Sequence, residues 1–312
     1  MRAGLSYGSS LVEVAVVRAE DAPGPTLVVE VERLPPGALA VTRELAALRA
    51  VLAGTPYARV DKIALYGPSV RPRPGADLDY RFVQALPGGG FDFRAGCGHS
   101  LLACVVAAAR PGPVTVHALT TGDLVRCTPE GPGETTLAFL RAPTAPGTLP
   151  TGRPVDIVGG LPVSVVRYGN PYVFVDARHL GVPTGRALFR AGEDVRHALL
   201  ALRAHAARLL GYDEGSALPK VAAFRAEESA LAVRALTVGG WHPRLALTGA
   251  AALAAAGALP GTVVPDLAGR PVRTPGGRTV SVSAGVGHVA VRHKRATVLE
   301  RLELPWRIHA TA

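Results

Sequence analysis

A chain of 312 residues, 48% of them hydrophobic, is long enough for more than one buried core and predicts two domains. Its longest apolar runs reach only about ten residues, and the start "MRAGLSYGSSLVEVAVV" lacks an apolar signal region, so a cytoplasmic protein without membrane spans is expected. The formal net charge of +10 is scattered, aromatics are 5%, and no nucleic-acid motif occurs, which leaves a small anion rather than nucleic acid as the expected partner.

The 36 glycines and 27 prolines fall in short clusters such as Pro87-Gly88-Gly89-Gly90 and Pro275-Gly276-Gly277, the punctuation of tight turns between short strands. Three cysteines, Cys97, Cys104 and Cys127, form neither an even set nor a metal-type spacing, so no disulfide framework and no metal site are expected. Basic residues divide into 31 arginines and 3 lysines. Where arginine serves every generic charge, the surviving Lys62, Lys220 and Lys294 are enriched for places that need an amine.

In chain order, Arg2 opens "RAGLSYG", which feeds the alternating strand "LVEVAVV". An amphipathic helix follows in "TRELAALRAVLAG", then a strand at Lys62 in "DKIALYG", then a glycine turn and apolar helix at Cys97 in "GCGHSLLACVVAAA". The same four landmarks return in the same order: "RYGNPYV" at Arg167 feeding "YVFVDA", the helix "EDVRHALLALRAHAARLLG", Lys220 in "PKVAAFR", and "LTGAAALAAAGAL" at Thr248. Four landmarks in register, apart from loop-sized insertions, predict an internal duplication. The domains are read as residues 1–150 and 151–312, with the last strand free to return to the N-terminal domain.

A helix that is apolar all round has to be surrounded by protein. Among short strands the enclosure is a curved sheet. The expected fold class is therefore α+β: two pseudo-symmetric domains, each a β-barrel-like, mostly antiparallel sheet around a central apolar helix. Helix starts carry free N–H groups and partial positive charge, and glycine admits a ligand to the backbone. If the halves face each other, Cys97 with Gly98 and Thr248 with Gly249 meet across one cleft suited to carboxylates.

Each candidate also has a plain structural reading. Cys97 could be a small buried residue or a thiol favoured as thiolate at a helix start. Lys62 could be a strand-end lysine reaching solvent or a base held in a desolvated site. His99 and Ser100 occupy the first helical turn, where Ser is routine. Asn170 fits a turn before Pro171. Lys220 is read as the structural copy of Lys62.

The stretches "KIALYGPSVRPRPGADLDYRFVQ", "GCGHS", "YGNPYVFVDARHLG", "PKVAAF" and "WHPRLALTGAAALAAAGALPGTVV" together resemble the methylaconitate isomerase and oxalomesaconate tautomerase (PrpF-like) family, which shares the diaminopimelate epimerase fold. The resemblance implies a cofactor-independent cleft between two domains, in which a proton is taken next to a carboxylate and returned elsewhere, moving a double bond. It assigns acid/base work to Lys62 and Cys97 and places Asn170 and His242 at the site. Family patterns are altered here: Arg2-Ala3-Gly4-Leu5-Ser6-Tyr7-Gly8 stands for Arg-Gly-Gly-Thr-Ser-Lys-Gly, and Cys97-Gly98-His99 for Cys-Gly-Asn. Tyr7 thus replaces a basic group, and Ser6 and Tyr7 join the substrate-binding candidates.

The expected function is a cofactor-independent isomerase acting on a small unsaturated carboxylate, with Lys62 and Cys97 catalytic and Ser6, Tyr7, Gly98, His99, Ser100, Asn170, His242, Thr248 and Gly249 binding substrate. A specialised cyclase, lyase or epimerase using the same cleft, and a non-catalytic binding protein, stay open as alternatives. A homodimer also stays open.

Overall fold

The computed structural model describes residues 11–32, 34, 37–69, 75–214 and 216–306. In the first half β1 (Val12–Ala19) and β2 (Thr26–Glu30) run antiparallel, and α1 (Thr42–Leu52) crosses to β3 (Lys62–Pro68), parallel to β2. β4 (Leu78–Ala85) returns antiparallel and carries the short β5 (Phe91–Asp92). α2 (Gly98–Ala108) then crosses to β6 (Val114–Ala118), parallel to β4, and β7 (Asp123–Gly131) and β8 (Glu134–Phe139) follow antiparallel.

The second half repeats this path. After β9 (Asp156–Val158), β10 (Leu161–Tyr168) and β11 (Asn170–Asp176) run antiparallel. Helices α3 (Gly185–Phe189) and α4 (Glu193–Leu209) lead to β12 (Lys220–Ala226), parallel to β11. β13 (Leu231–Thr237) returns with the short β14 (Gly240–Trp241), and α5 (Leu247–Gly257) crosses to β15 (Val272–Arg273), parallel to β13, followed by β16 (Thr279–Val280). Finally β17 (Val282–Ala284) pairs with the long β18 (Val289–Leu304), which joins the first sheet between β8 and β1. Strands β1, β2, β3, β4, β6, β7, β8 and β18 thereby close into a ring of eight, while the second sheet stays open.

Side-chain alternation assigns the two faces of the strands. On β1, Ala15 and Val17 turn inward with Leu102, Ala103 and Cys104 of α2, whereas Val14 and Val16 turn outward with Leu45 and Leu48 of α1. In the second half Phe174 and Phe224 share the core of α5, and Val173, Val175 and Val221 pack with Leu199 and Leu202 of α4. This explains the compositions of the helices. α1 and α4 lie on outer faces and are amphipathic, while α5 is buried from Leu247 to Ala256 and needs small apolar residues on every side. Among the described residues, no helix is long and apolar enough to cross a membrane.

Three of the four sequence landmarks superimpose on this duplicated path: the helices α1 and α4, the lysine-led strands β3 and β12, and the buried helices α2 and α5. The first needs correcting by one strand. "LVEVAVV" belongs to β1, whose counterpart is β10, whereas "YVFVDA" belongs to β11, whose counterpart is β2. All four strands carry similar apolar patterns, so alternation alone could not separate the first strand of each pair from the second.

Candidate active site

Lys62 opens β3 and Lys220 opens β12, each directly after the crossover from its half's outer helix. Thr26 is the register partner of Lys62, and Tyr172 that of Lys220, so the two lysines are structural counterparts. The buried helices start beside them, α2 with Cys97 as N-cap and α5 with Ala246, and neither cap makes a side-chain hydrogen bond. The first-turn N–H groups, which have no partner within their own helix, are oriented toward this end. One cleft is lined by Lys62, Cys97, Gly98, His99, Asn170, Tyr172, Lys220, His242 and Thr248.

The two helix starts press together. A Cβ on Gly98 would lie 2.7 Å from Leu247 Cδ2, so glycine at this position permits the approach. Cys97 is held from two directions. Tyr80 Oη donates to its carbonyl at 2.9 Å, and Asn170 clasps the preceding Gly96, accepting from its N–H at 2.7 Å and donating to its carbonyl at 2.8 Å. Asn170 belongs to the second half, so its amide fastens the Cys97 turn of the first half across the cleft. Its side chain lines the cleft, but both ends of the amide are already engaged.

His99 is 2% exposed, and its Nε2 has no hydrogen-bond partner among the described residues. Its ring stacks on His242 with centroids 6.2 Å apart. Burial, followed by the influence of His242, Lys294 and Lys62, pushes His99 well below the usual imidazole range. Burial and then Lys62 hold His242 down to about 4. The Arg244 N–H donates to His242 Nδ1 at 3.1 Å, which leaves the ring proton on Nε2. Two neutral imidazoles therefore face the cleft at pH 7, able to exchange hydrogen bonds with a ligand without adding charge.

The amines differ. Lys62 is 6% exposed and its Nζ donates to the Gly24 carbonyl at 3.4 Å. Lys220 is lowered to about 8 by burial first and by Arg203 second, with Cys97 and Asp92 acting in the opposite sense. Lys220, read from the sequence as a structural copy, is part of the cleft lining. The clue was in the repeat itself, because a lysine copied together with its strand position is carried to the same cleft. Tyr172 also lines the site, and no sequence motif singled it out.

Ser100 and Gly249 lie outside the lining. Each is the third residue of its buried helix, turned toward the strand that pairs with the lysine-led strand. Ser100 Oγ is 2.9 Å from Thr26 Oγ1, and a Cβ on Gly249 would lie 2.8 Å from Tyr172 Oη. Gly249 thus makes room for a tyrosine ring rather than for a ligand between it and Gly98. Ser6 and Tyr7 fall outside the described residues.

Two hollows adjoin the cleft. One shares Lys62 and carries Arg18, Arg59 and Asp61, and the other carries Arg94, Arg196 and Arg203 beside Asp92. Arg94 is bonded to Asp92 and Arg196 to Glu193, whereas Arg203 Nε is buried with no acceptor among the described residues. The surroundings are net basic and favour an anion.

Comparison with known proteins bears on the fold and the family. The methylitaconate-delta-isomerase structure superimposes with a TM-score of 0.63 at 20% identity, covering 94% of this chain and 95% of its own. A hydroxyproline epimerase from Agrobacterium vitis gives 0.61 at 17% identity, covering 94% and 92%. These likenesses establish the fold. YbhH of Escherichia coli (strain K12) is 28% identical over 271 residues, 74% of this chain and 73% of its own. The (4E)-oxalomesaconate Delta-isomerase of Novosphingobium sp. (strain KA1) is 27% identical over 238 residues, 63% and 65%. The PrpF protein family model matches residues 120–302, more than half of the sequence, and the chain therefore belongs to the PrpF family.

Proposed function

We propose that the protein is a cofactor-independent isomerase that moves a double bond in a small unsaturated carboxylate by taking a proton from one carbon and returning a proton to another. The observation that carries this reading is the convergence of Lys62 and Cys97 with two uncapped helix starts in one cleft. Family membership and the oxalomesaconate isomerase relative support the same class of reaction.

The chemistry follows from the parts. An amine at Lys62 removes a proton next to the carboxylate, and the electron pair of the broken C–H bond spreads into the conjugated system. Negative charge then grows on the carboxylate oxygens. The N–H groups at Gly98 and Thr248 hold that charge where it develops, which lowers the barrier more than it strengthens substrate binding. Cys97 returns a proton to the far carbon. The neutral His99 and His242 orient the ligand by hydrogen bonds, and the basic hollows draw the anion in. Three unpaired thiols suit a reducing cytoplasm, which we take as the place of action.

The test is incubation with itaconate, mesaconate, aconitate and related acids in deuterated water, followed by NMR. Isomerisation exchanges a substrate hydrogen for deuterium and conserves the carbon skeleton. Products of different composition would establish elimination or cyclisation instead. Binding that survives Lys62→Ala, without exchange of any acid by the unaltered protein, would make it a binding protein.

A further inference from the structure

We infer that Lys220 is the proton partner of Cys97, an amine supplied by the second half that resets the thiol between turnovers. The inference rests on the isomerase reading and adds to it a route for Cys97's proton.

Position is the first ground. Lys220 occupies in the second half the place that Lys62 occupies in the first, at the head of a strand after a crossover, and both lysines line one cleft with Cys97. The second ground is the company each amine keeps. Lys62 is bonded to the Gly24 carbonyl and acts electrostatically on His99 and His242. Lys220 has no hydrogen-bond acceptor among the described residues, and the charged and titratable groups around it are Cys97 at the start of α2, Asp92 on β5, Arg203 on α4, His242 after β14 and its register partner Tyr172 on β11, whose phenol burial keeps protonated and so unable to accept a proton. Asp92 is already engaged by Arg94 Nε and Nη2 at 3.1 Å each. Arg203 and His242 cannot take a proton from an ammonium under working conditions, the first because it is a permanent cation and the second because it is held neutral. Cys97 is the remaining exchange partner.

The step balances. Cys97 Sγ–H gives its proton to the substrate carbon, whose electron pair forms the new C–H bond, and a thiolate remains. The Lys220 ammonium passes a proton to that thiolate, restoring the thiol and leaving a neutral amine, which regains a proton from solvent while the Lys62 ammonium gives up to solvent the one it took from the substrate. Burial suits the task, because an amine titrating near 8 holds a proton at neutral pH yet releases it readily.

The experiment uses the full chain and needs no substrate for its first part. Cys97 is the partly accessible thiol, while Cys104 and Cys127 are fully buried, so iodoacetamide reads Cys97. At pH 7, Lys220→Gln should measurably slow its alkylation, because removing a neighbouring cation removes a charge that favours the reactive thiolate, while Lys220→Arg keeps the positive charge and the wild-type rate. Equal rates in all three proteins would overturn the proposal. On the active isomerase, deuterium exchange should fall above pH 8 and drop in both variants to no less than the level of Cys97→Ser, since a guanidinium does not give up its proton. Full exchange by Lys220→Arg would reduce Lys220 to a carboxylate-holding charge and overturn the relay. Lysine-selective nitrogen-15 NMR of the unsubstituted protein is independent of either variant's folding: one of three signals should titrate near 8 and move lower in Cys97→Ser. No such movement would also overturn the proposal. Failure of every acid to exchange with the unaltered protein would reject the isomerase reading alone and leave the thiol measurement intact.

Discussion

The two halves solve one packing problem with opposite choices of size. In the first, the third residue of the buried helix is Ser100 and its neighbour on the adjacent strand is Thr26, two small hydroxyl residues that bond to each other. In the second, the corresponding pair is Gly249 and Tyr172, where the helix gives up its side chain so that the strand can carry a ring. The difference reaches the cleft, which Tyr172 lines and Thr26 does not. The helix starts differ in the same way. The first presents Cys97-Gly98-His99 and the second Ala246-Leu247-Thr248. A duplicated scaffold has set equivalent backbones face to face, and substitution has left the cleft thiol on the first alone while each half contributes one imidazole.

The largest expected effect tests that asymmetry. Lys62→Ala should lower solvent exchange about a hundredfold to ten-thousandfold, the worth of a positioned acid/base group, whereas Cys97→Ser should retain more of the rate. The reverse order, read by deuterium NMR, would make the thiolate the base. Next in size is an acid-linked loss of stability. His242 has a folded value of about 4 against roughly 6.5 when unfolded. Above pH 6.5 neither state binds the proton. As pH falls toward 4 the unfolded chain takes it up and the folded chain does not, so about 3 kcal/mol of stability is lost by pH 4. Urea unfolding at pH 7, 5 and 4 measures this, and His242→Asn should flatten the dependence.

The size comparison itself can be broken. Gly249→Ser places a side chain against Tyr172 Oη and should cost about 1–3 kcal/mol through overpacking. Adding Tyr172→Thr copies the first-half pair into the second, and the double variant should be more stable than the sum of the two single losses. The smallest effect is Ser100→Ala, which leaves Thr26 Oγ1 without its partner at about 1 kcal/mol and leaves the cleft lining intact.

Much of this arrangement was readable in the sequence, because α1 and α4, the lysine-led strands and the two apolar helices carry period, composition and order together. Lys62, Cys97, His99, Asn170, His242 and Thr248 meet as lining of one cleft. Other features escaped for identifiable reasons. β1 and β2 share one alternating pattern, so alternation pairs the repeats a strand out of step. Gly249 looked like a ligand-binding glycine because a missing side chain does not say whether a ligand or a tyrosine fills the space. The clasp of Asn170 on Gly96 joins residues 74 positions apart, and no local pattern announces such a contact.

The position of β18 governs how the molecule is made. The ring of the first half is complete in sequence at Phe139 except for one strand, and that strand begins at Val289, roughly 150 residues later. At a synthesis rate of about 5–20 residues per second, the nascent chain carries two unpaired strand edges, on β1 and β8, for roughly 8–30 seconds before β18 is made. Those edges can pair with another chain in the meantime. Production of this protein should therefore be sensitive to chaperone supply and to translation speed after residue 139, and a chain truncated before Val289 should aggregate rather than yield a soluble first half.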